Sequence, residues 1–299
     1  MKMSNTVKGF GNAIISAATF GLIPLFTKPV MDSGMVTSSI LVYRFGFGAL
    51  VMLALMFFNH IKPNVNKNEL WRIVFLAAIY TVSAMALIES YNYMDTGIAT
   101  TLMFSYPIFT SLIMTIFFGE KFSPITAVAI ILAVAGVFFL SGAAENGNVK
   151  SAVGLLFAII SGFAYSCYMV SVNVMKVRQM GSLKLTFWVL LVGTFMLAAY
   201  SMCTKGSIQT ISQPLQFFSL LGLAIIPTAV SNLTLIMGIK QVGSTMCAVL
   251  GAFEPLTALT VGILVFGEPM TMYVAIGFLL IIISVTMIVL KSSKKKKSA

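Results

Sequence analysis

Charge is what this chain has least of. Only 9% of its 299 residues are Asp, Glu, Lys or Arg, while 59% are hydrophobic and the mean hydropathy is +0.99. Soluble domains carry charge on roughly a quarter of their residues, so a water-facing globular fold is excluded and most of this backbone lies where water is absent. Histidine is nearly missing as well. The one histidine, His60, falls in a polar loop, which leaves no HExxH zinc site and no histidine proton relay inside an apolar segment. No Asp lies well inside an apolar run and no GxxxxGK[ST] phosphate loop occurs, which argues against an intramembrane enzyme and against ATP-driven transport by this chain alone. The three cysteines, Cys167, Cys203 and Cys247, sit in or at the ends of apolar segments without paired spacing, so they read as small buried hydrophobes. No catalytic residue, metal or cofactor is expected.

What is present is a series of apolar runs about 20 residues long, the length of a membrane-crossing helix and twice that of a barrel strand. The expected fold is an all-α polytopic membrane protein with ten transmembrane helices, near 10–29, 37–58, 72–92, 97–118, 124–143, 152–174, 184–203, 217–238, 245–266 and 271–290. The first run lacks a cleavage site followed by a polar mature domain and reads as a retained span. Net charge is +11, but its placement points to lipid rather than nucleic acid. Lys291 and Lys294 to Lys297 crowd the tail 291–299 just beyond the last span, where they meet anionic headgroups. With an internal start, fifteen of the nineteen lysines and arginines fall on the cytoplasmic side and three outside, with Arg44 inside a span. Both termini are therefore expected in the cytoplasm, in an integral protein of a bacterial cytoplasmic membrane.

The chain also repeats itself. Thr96–Glu120 recurs 148 positions later as Ser244–Glu268, matching Leu102 with Leu250, Pro107 with Pro255, and Phe118-Gly119-Glu120 with Phe266-Gly267-Glu268. Two related halves are expected, 1–145 with spans 1–5 and 146–299 with spans 6–10. Five spans is an odd number, so the second half enters the membrane inverted, the arrangement in which two halves rock about a central site in alternating access. Pro107 and Pro255 remove helical hydrogen bonds at corresponding positions, freeing the carbonyls of Met103 and Gly251. Matched interruptions either shape a central cavity or merely bend two packed helices.

Phe20-Gly21 with Lys28, Arg44, Tyr106-Pro107 with Phe118-Gly119-Glu120, Phe163-Ala164-Tyr165, and Glu254-Pro255 with Phe266-Gly267-Glu268 stand in an order and spacing that resembles the drug/metabolite transporter superfamily, specifically its EamA-type members. The likeness covers nearly the whole chain. It departs at Phe20 and Phe163, where many members carry Trp, and in the basic tail. The resemblance implies a ten-helix, two-repeat carrier with a central cavity. Its members move amino acids, sugars, nucleotide-linked metabolites and drugs, so it implies a class of function and no particular substrate.

Individual residues sharpen the expectation. Glu254 lies about 14 Å into its span by helix rise, on a face with Cys247, Gly251, Ala258 and Gly262, so small neighbours let other helices close around it. It either binds a substrate amine or carries a coupling proton, or else caps a hydrogen-bond network beside the backbone that Pro255 interrupts. Arg44 lies roughly 10 Å inside span 2. It either receives a substrate carboxylate or phosphate, or forms a static pair with Glu89 or Asp95 near Lys28. Tyr43, Tyr106, Tyr165, Tyr168, Asn173, Trp188, Ser231 and Asn232 are candidates to line a pathway, with packing or an interfacial belt as the alternative. Gly9, Ala13, Ala17 and Gly21, and likewise Gly154, Ala158, Gly162 and Ser166, recur every four residues and predict close helix contact. Gly119-Glu120 and Gly267-Glu268 read as span ends.

The function expected is secondary transport of a small organic solute by alternating access, as a proton-coupled exporter or an exchanger. The alternatives are a uniporter or channel-like facilitator and, further off, an intramembrane enzyme or sensor. A small-molecule substrate and membrane lipid are the expected partners. One chain supplies both repeats, so a monomer suffices, with a homodimer as the other assembly.

Overall fold

The computed structural model describes residues 5–94, 96–119, 124–140 and 152–267, followed by 271–273, 275–280, 282–284 and 287. Asp95, Glu120, Lys121, Lys150, Glu268, the junction between the expected halves at 145/146 and the basic tail lie outside these residues. The regular elements are helices: α1 (Asn5–Phe20), α2 (Ile23–Asp32), α3 (Thr37–Phe58), α4 (Lys67–Ser90), α5 (Thr96–Met103), α6 (Tyr106–Phe118), α7 (Pro124–Leu140), α8 (Ala152–Val174), α9 (Ser182–Lys205), α10 (Pro214–Ala224), α11 (Ser231–Val242), α12 (Ser244–Leu250) and α13 (Phe253–Phe266). A 3-10 turn at Lys176–Gln179 precedes α9, and a π-helical segment, Ile225–Val230, joins α10 to α11. Among the described residues, seven helical stretches are long and apolar enough to cross a membrane, and Tyr106–Phe118, Ala127–Gly136 and Ala275–Ser284 are shorter apolar helices. The regular structure of the described residues is all helical, and the protein is a polytopic integral membrane protein.

Local chemistry sets the helix ends. α3 stops where His60 turns left-handed at φ 53. The His60 and Ile61 amides then donate to the carbonyls of Phe57 and Met56 at 3.1 and 2.9 Å, closing the helix with paired capping bonds. α4 starts at Asn66, whose amide donates to the Glu69 carboxylate at 3.1 Å. Gly119 and Gly267, the matched glycines of the repeat, end α6 and α13 at φ 65 and 69, a left-handed cap that a β-carbon would penalise.

Among the described residues, three stretches are interrupted. Span 1 breaks at Gly21–Leu22, between α1 and α2. The two repeat-related stretches break at Phe104–Ser105 and Gly251–Ala252, where continuous but kinked helices were expected. Pro107 is the second residue of α6 and Pro255 the third of α13. Each proline therefore sits in a first turn, where its missing N–H costs nothing, and starts a new helix instead of bending an old one. The Gly251 carbonyl is not left open, since it accepts from the Glu254 amide at 2.8 Å.

The helices interlock across the repeat. Ser16 and Ser231 hydroxyls meet at 3.3 Å between α1 and α11, and Ser83 and Ser161 hydroxyls meet at 3.3 Å between α4 and α8. The two pairs are counterparts, because Ser16 stands 145 positions before Ser161 and Ser83 stands 148 before Ser231. Gly9 packs on Gln241 and Val242, and its counterpart Gly154 packs on Tyr93 and Met94. A third contact joins α3 to α9. There Gly48 faces Leu190 while Gly193 faces Phe45, again with partners exchanged at a spacing of 145. Within the four-residue stripes, Gly9 and Gly154 admit side chains from the other half, while Gly21 and Gly162 lie against the backbone carbonyls of Glu254 and Met103, so the stripes give close helix contact.

Candidate functional site

The broken stretches meet at the centre of the molecule. The Tyr106 hydroxyl, in the first turn of α6, donates to Glu254 Oε1 at 3.1 Å in the first turn of α13. These two residues are repeat counterparts, 148 positions apart. Gly251 makes the approach feasible, because a β-carbon there would overlap the Tyr106 hydroxyl. Glu254 is only 2% exposed, and its second oxygen, Oε2, has no partner among the described residues. Tyr165 packs edge-on against Tyr106, with ring centroids 5.0 Å apart, and stacks on Phe20 at 5.5 Å.

Arg44 lies in the same buried cluster. Its exposure is 0%, and Nε donates to Thr228 Oγ1 at 2.8 Å while Nη1 and Nη2 have no partner among the described residues. The guanidinium carbon is 5.8 Å from the Phe20 ring centre and 6.0 Å from that of Phe45. Phe45 in turn stacks on Tyr80 at 5.3 Å. The π-helical segment explains the Thr228 contact. Pro227 has no N–H for the Leu223 carbonyl, and the Thr228 hydroxyl donates to that carbonyl at 2.7 Å while it accepts from Arg44. Asn232, one turn on, donates to the Thr228 carbonyl at 2.8 Å and to the Tyr80 hydroxyl at 2.7 Å.

Of the residues expected to carry function, Glu254, Tyr106, Tyr165, Arg44, Asn232 and Gly251 thus converge in one buried cluster, flanked by Pro107 and Pro255. The static Arg44–Glu89 pair is absent, and Asp95 lies outside the described residues. Glu89 instead lines a cavity of about 800 Å³ that reaches from Asn92 and Lys205 at one end down to Ala78 and Thr81. Tyr43 and Trp188 serve as loop anchors at opposite ends. The Tyr43 hydroxyl donates to the Gln209 carbonyl at 2.9 Å, and the Trp188 indole donates to the Pro63 carbonyl at 2.9 Å. Ser231 is taken up by Ser16, and Asn173 Nδ2 faces the Met114 sulfur at 3.9 Å. Lys28 sits over the Phe266 ring at 4.9 Å. Thr228, Tyr80 and Phe45 were not anticipated. The signal for Thr228 was a proline followed by a hydroxyl residue inside an apolar run.

An all-helical membrane protein whose broken helices enclose an acid, a base and a ring of tyrosines belongs to the class of membrane transporters. Residues 7–142 and 152–290 each match the EamA-like transporter family, and the chain belongs to that family. An uncharacterized transporter of Archaeoglobus fulgidus is 24% identical over 272 residues, 91% of this chain and 93% of that protein. The uncharacterized inner membrane transporter YicL of Salmonella typhimurium is 23% identical over 308 residues, 99% and 100% of the two chains. Human solute carrier family 35 member G1 is 26% identical over 179 residues, 58% of this chain and 48% of its own. A chain of known crystal structure superposes with a TM-score of 0.79 across 97% of this chain and 99% of its own, at 15% identity, a likeness of fold.

Proposed function

We propose that this chain is a secondary transporter that moves a small organic solute by alternating access. It spans a bacterial cytoplasmic membrane ten times, in two inverted five-helix repeats comprising 1–145 and 146–299. Both termini are cytoplasmic, and the lysine-rich tail rests on anionic lipid. Export coupled to protons, or exchange, is the mode in which Glu254 has a role. One chain holds the whole site, so a monomer is the working unit.

The observation that carries this reading is the Tyr106–Glu254 contact. When counterpart residues of two repeats touch each other, the pseudo-twofold axis relating the repeats runs between them. Broken helices paired across such an axis are what an alternating-access carrier needs at its centre. The exchanged contacts of Ser16, Ser83, Gly9 and Gly154 support the same axis. A buried carboxylate with one oxygen unpartnered among the described residues is costly and supports a working role for Glu254.

The test is transport in proteoliposomes carrying the purified protein, with proton-gradient-driven uptake and counterflow of labelled amino acids and metabolites. With Glu254→Gln, gradient-driven transport is lost and counterflow persists, which makes Glu254 the coupling group. Loss of both in a folded variant assigns Glu254 to binding. A protein that moves no labelled solute under any gradient overturns the transport reading for that panel of compounds.

A further inference from the structure

The Arg44 guanidinium does not lose its proton in a protein, so its charge has to be balanced. Here a fully buried arginine makes one neutral hydrogen bond through Nε, and Nη1 and Nη2 have no partner among the described residues. Neither Glu254 nor Glu89 neutralises it, since no ion pair to Arg44 forms among the described residues. The ring faces of Phe20 and Phe45 help, yet at 5.8 and 6.0 Å they offer far less than a carboxylate would. Removing a cation from water without a counterion costs several kcal/mol. Two adjacent Nη groups form a fork that fits a planar oxyanion through two parallel hydrogen bonds.

We infer that Arg44 is an anion-binding element of the central site and that the transported solute presents a carboxylate to Nη1 and Nη2. The inference rests on the transport reading for the word transported, but the anion site stands apart from it. A monoanion is favoured over a phosphate dianion by charge count. Arg44 is the one basic residue among the described residues of this cluster, and Glu254 already adds a potential negative charge. The rings of Phe20, Phe45, Tyr80 and Tyr165 make this surrounding apolar, which favours an apolar body behind the carboxylate. The cavity comes near this point: its wall includes Thr81, whose hydroxyl lies beside Gly193 together with the Phe45 ring. Phe45 stacks on Tyr80 and lies 6.0 Å from the Arg44 guanidinium carbon.

The test uses purified full-length protein in detergent, with thermal unfolding as the readout and acetate, phenylacetate, phenylacetamide and inorganic phosphate as probes. Phenylacetate, and more weakly acetate, is expected to raise the unfolding midpoint of the wild type, while its uncharged isostere phenylacetamide does not. In Arg44→Met this protection falls roughly tenfold to hundredfold in apparent affinity, the range set by losing charged hydrogen bonds. Without added anion, Arg44→Met unfolds at or above the wild-type temperature, because it removes a buried charge that no described residue balances. Arg44→Lys keeps the charge without the fork and retains weak protection, and it replaces the methionine variant if that fails to fold. Equal protection of wild type and variants, protection by phenylacetamide, or no protection by either carboxylate overturns the anion site. Phosphate protecting better than phenylacetate overturns the carboxylate. Proteoliposomes that move no solute while carboxylates still protect only the wild type would retire the transport reading and leave the site.

Discussion

A β-carbon at Gly251 would overlap the Tyr106 hydroxyl and come within 2.9 Å of the Ala248 carbonyl oxygen. Neither neighbour gives way easily. The Tyr106 ring is held edge-on by Phe104 at 5.5 Å and Tyr165 at 5.0 Å, and the carbonyl belongs to the last turn of α12. Gly251→Ala is therefore expected to push the phenol off Glu254 and to cost about 1–3 kcal/mol of overpacking strain. Gly46→Ala is the control, since its β-carbon would lie at an ordinary 3.5 Å from the Thr194 methyl and would favour the helix by up to about 1 kcal/mol. Unfolding midpoints of the two variants in one detergent check this: a clear drop for Gly251→Ala with no drop for Gly46→Ala. Equal midpoints would mean that the Tyr106–Glu254 contact is loose. At this scale the sequence was a good guide to which residues matter and a poor one to what they touch. Glu254 and Arg44 stood out because ionisable groups are rare in apolar runs. Arg44 was matched with acids of similar depth, whereas its partner is a threonine that only a π-helical turn beside Pro227 turns inward.

Among the elements, the two long polar loops are held by very different numbers of bonds. Residues 206–213 are fastened through Gln209, which accepts from the Val36 amide at 2.6 Å and from Tyr43 at 2.9 Å, and donates to Ser39 Oγ at 3.0 Å. Gln216 adds a bond to Ser33 at 2.9 Å. Across the molecule, residues 59–66 are tied to another helix through the Trp188–Pro63 bond, with Val65 packed on the core. A single neutral bond contributes about 0.5–1.5 kcal/mol, a large share of one loop's restraint and a small share of the other's. Trp188→Phe should speed amide exchange in 59–66 by up to roughly tenfold, while Tyr43→Phe leaves 206–213 nearly unchanged. Hydrogen exchange read by mass spectrometry distinguishes the two, and equal effects would show that these bonds do not hold the loops. Element boundaries were legible where an apolar run is uninterrupted: 37–58 and 152–174 coincide with α3 and α8. They were not legible at Phe104–Ser105 and Gly251–Ala252, because a proline in an apolar run reads equally as a kink or as the first turn of a second helix.

For the whole molecule, the repeat could be read from recurrence, but recurrence reports ancestry and says nothing of which helices pack together. The contacts divide the protein differently from the sequence. α1 lies against α11, α12 and α13 of the second half, and α8 lies against α4, α5 and α6 of the first, with the α3–α9 pair joining the two groups. Each half has lent one helix to the other. If these mixed groups are the bodies that move, then Asn12 and Gln241, which share a 3.0 Å bond between α1 and α11, travel together although they come from different halves. Arg178 and Lys240 belong to one half but to different bodies. Arg178 donates to the Lys240 carbonyl at 3.1 Å, and Lys240 donates to that of Met180, closing the end opposite Glu89 and the cavity. Cysteine pairs at these positions, introduced after replacing Cys167, Cys203 and Cys247 and joined by a reductant-cleavable linker, separate the two schemes. Linking 12 to 241 should leave counterflow in proteoliposomes intact, and linking 178 to 240 should stop it until the linker is cut. Rigid halves rocking against each other would give the reverse, because the first link would then bridge the moving parts and the second would lie within one of them.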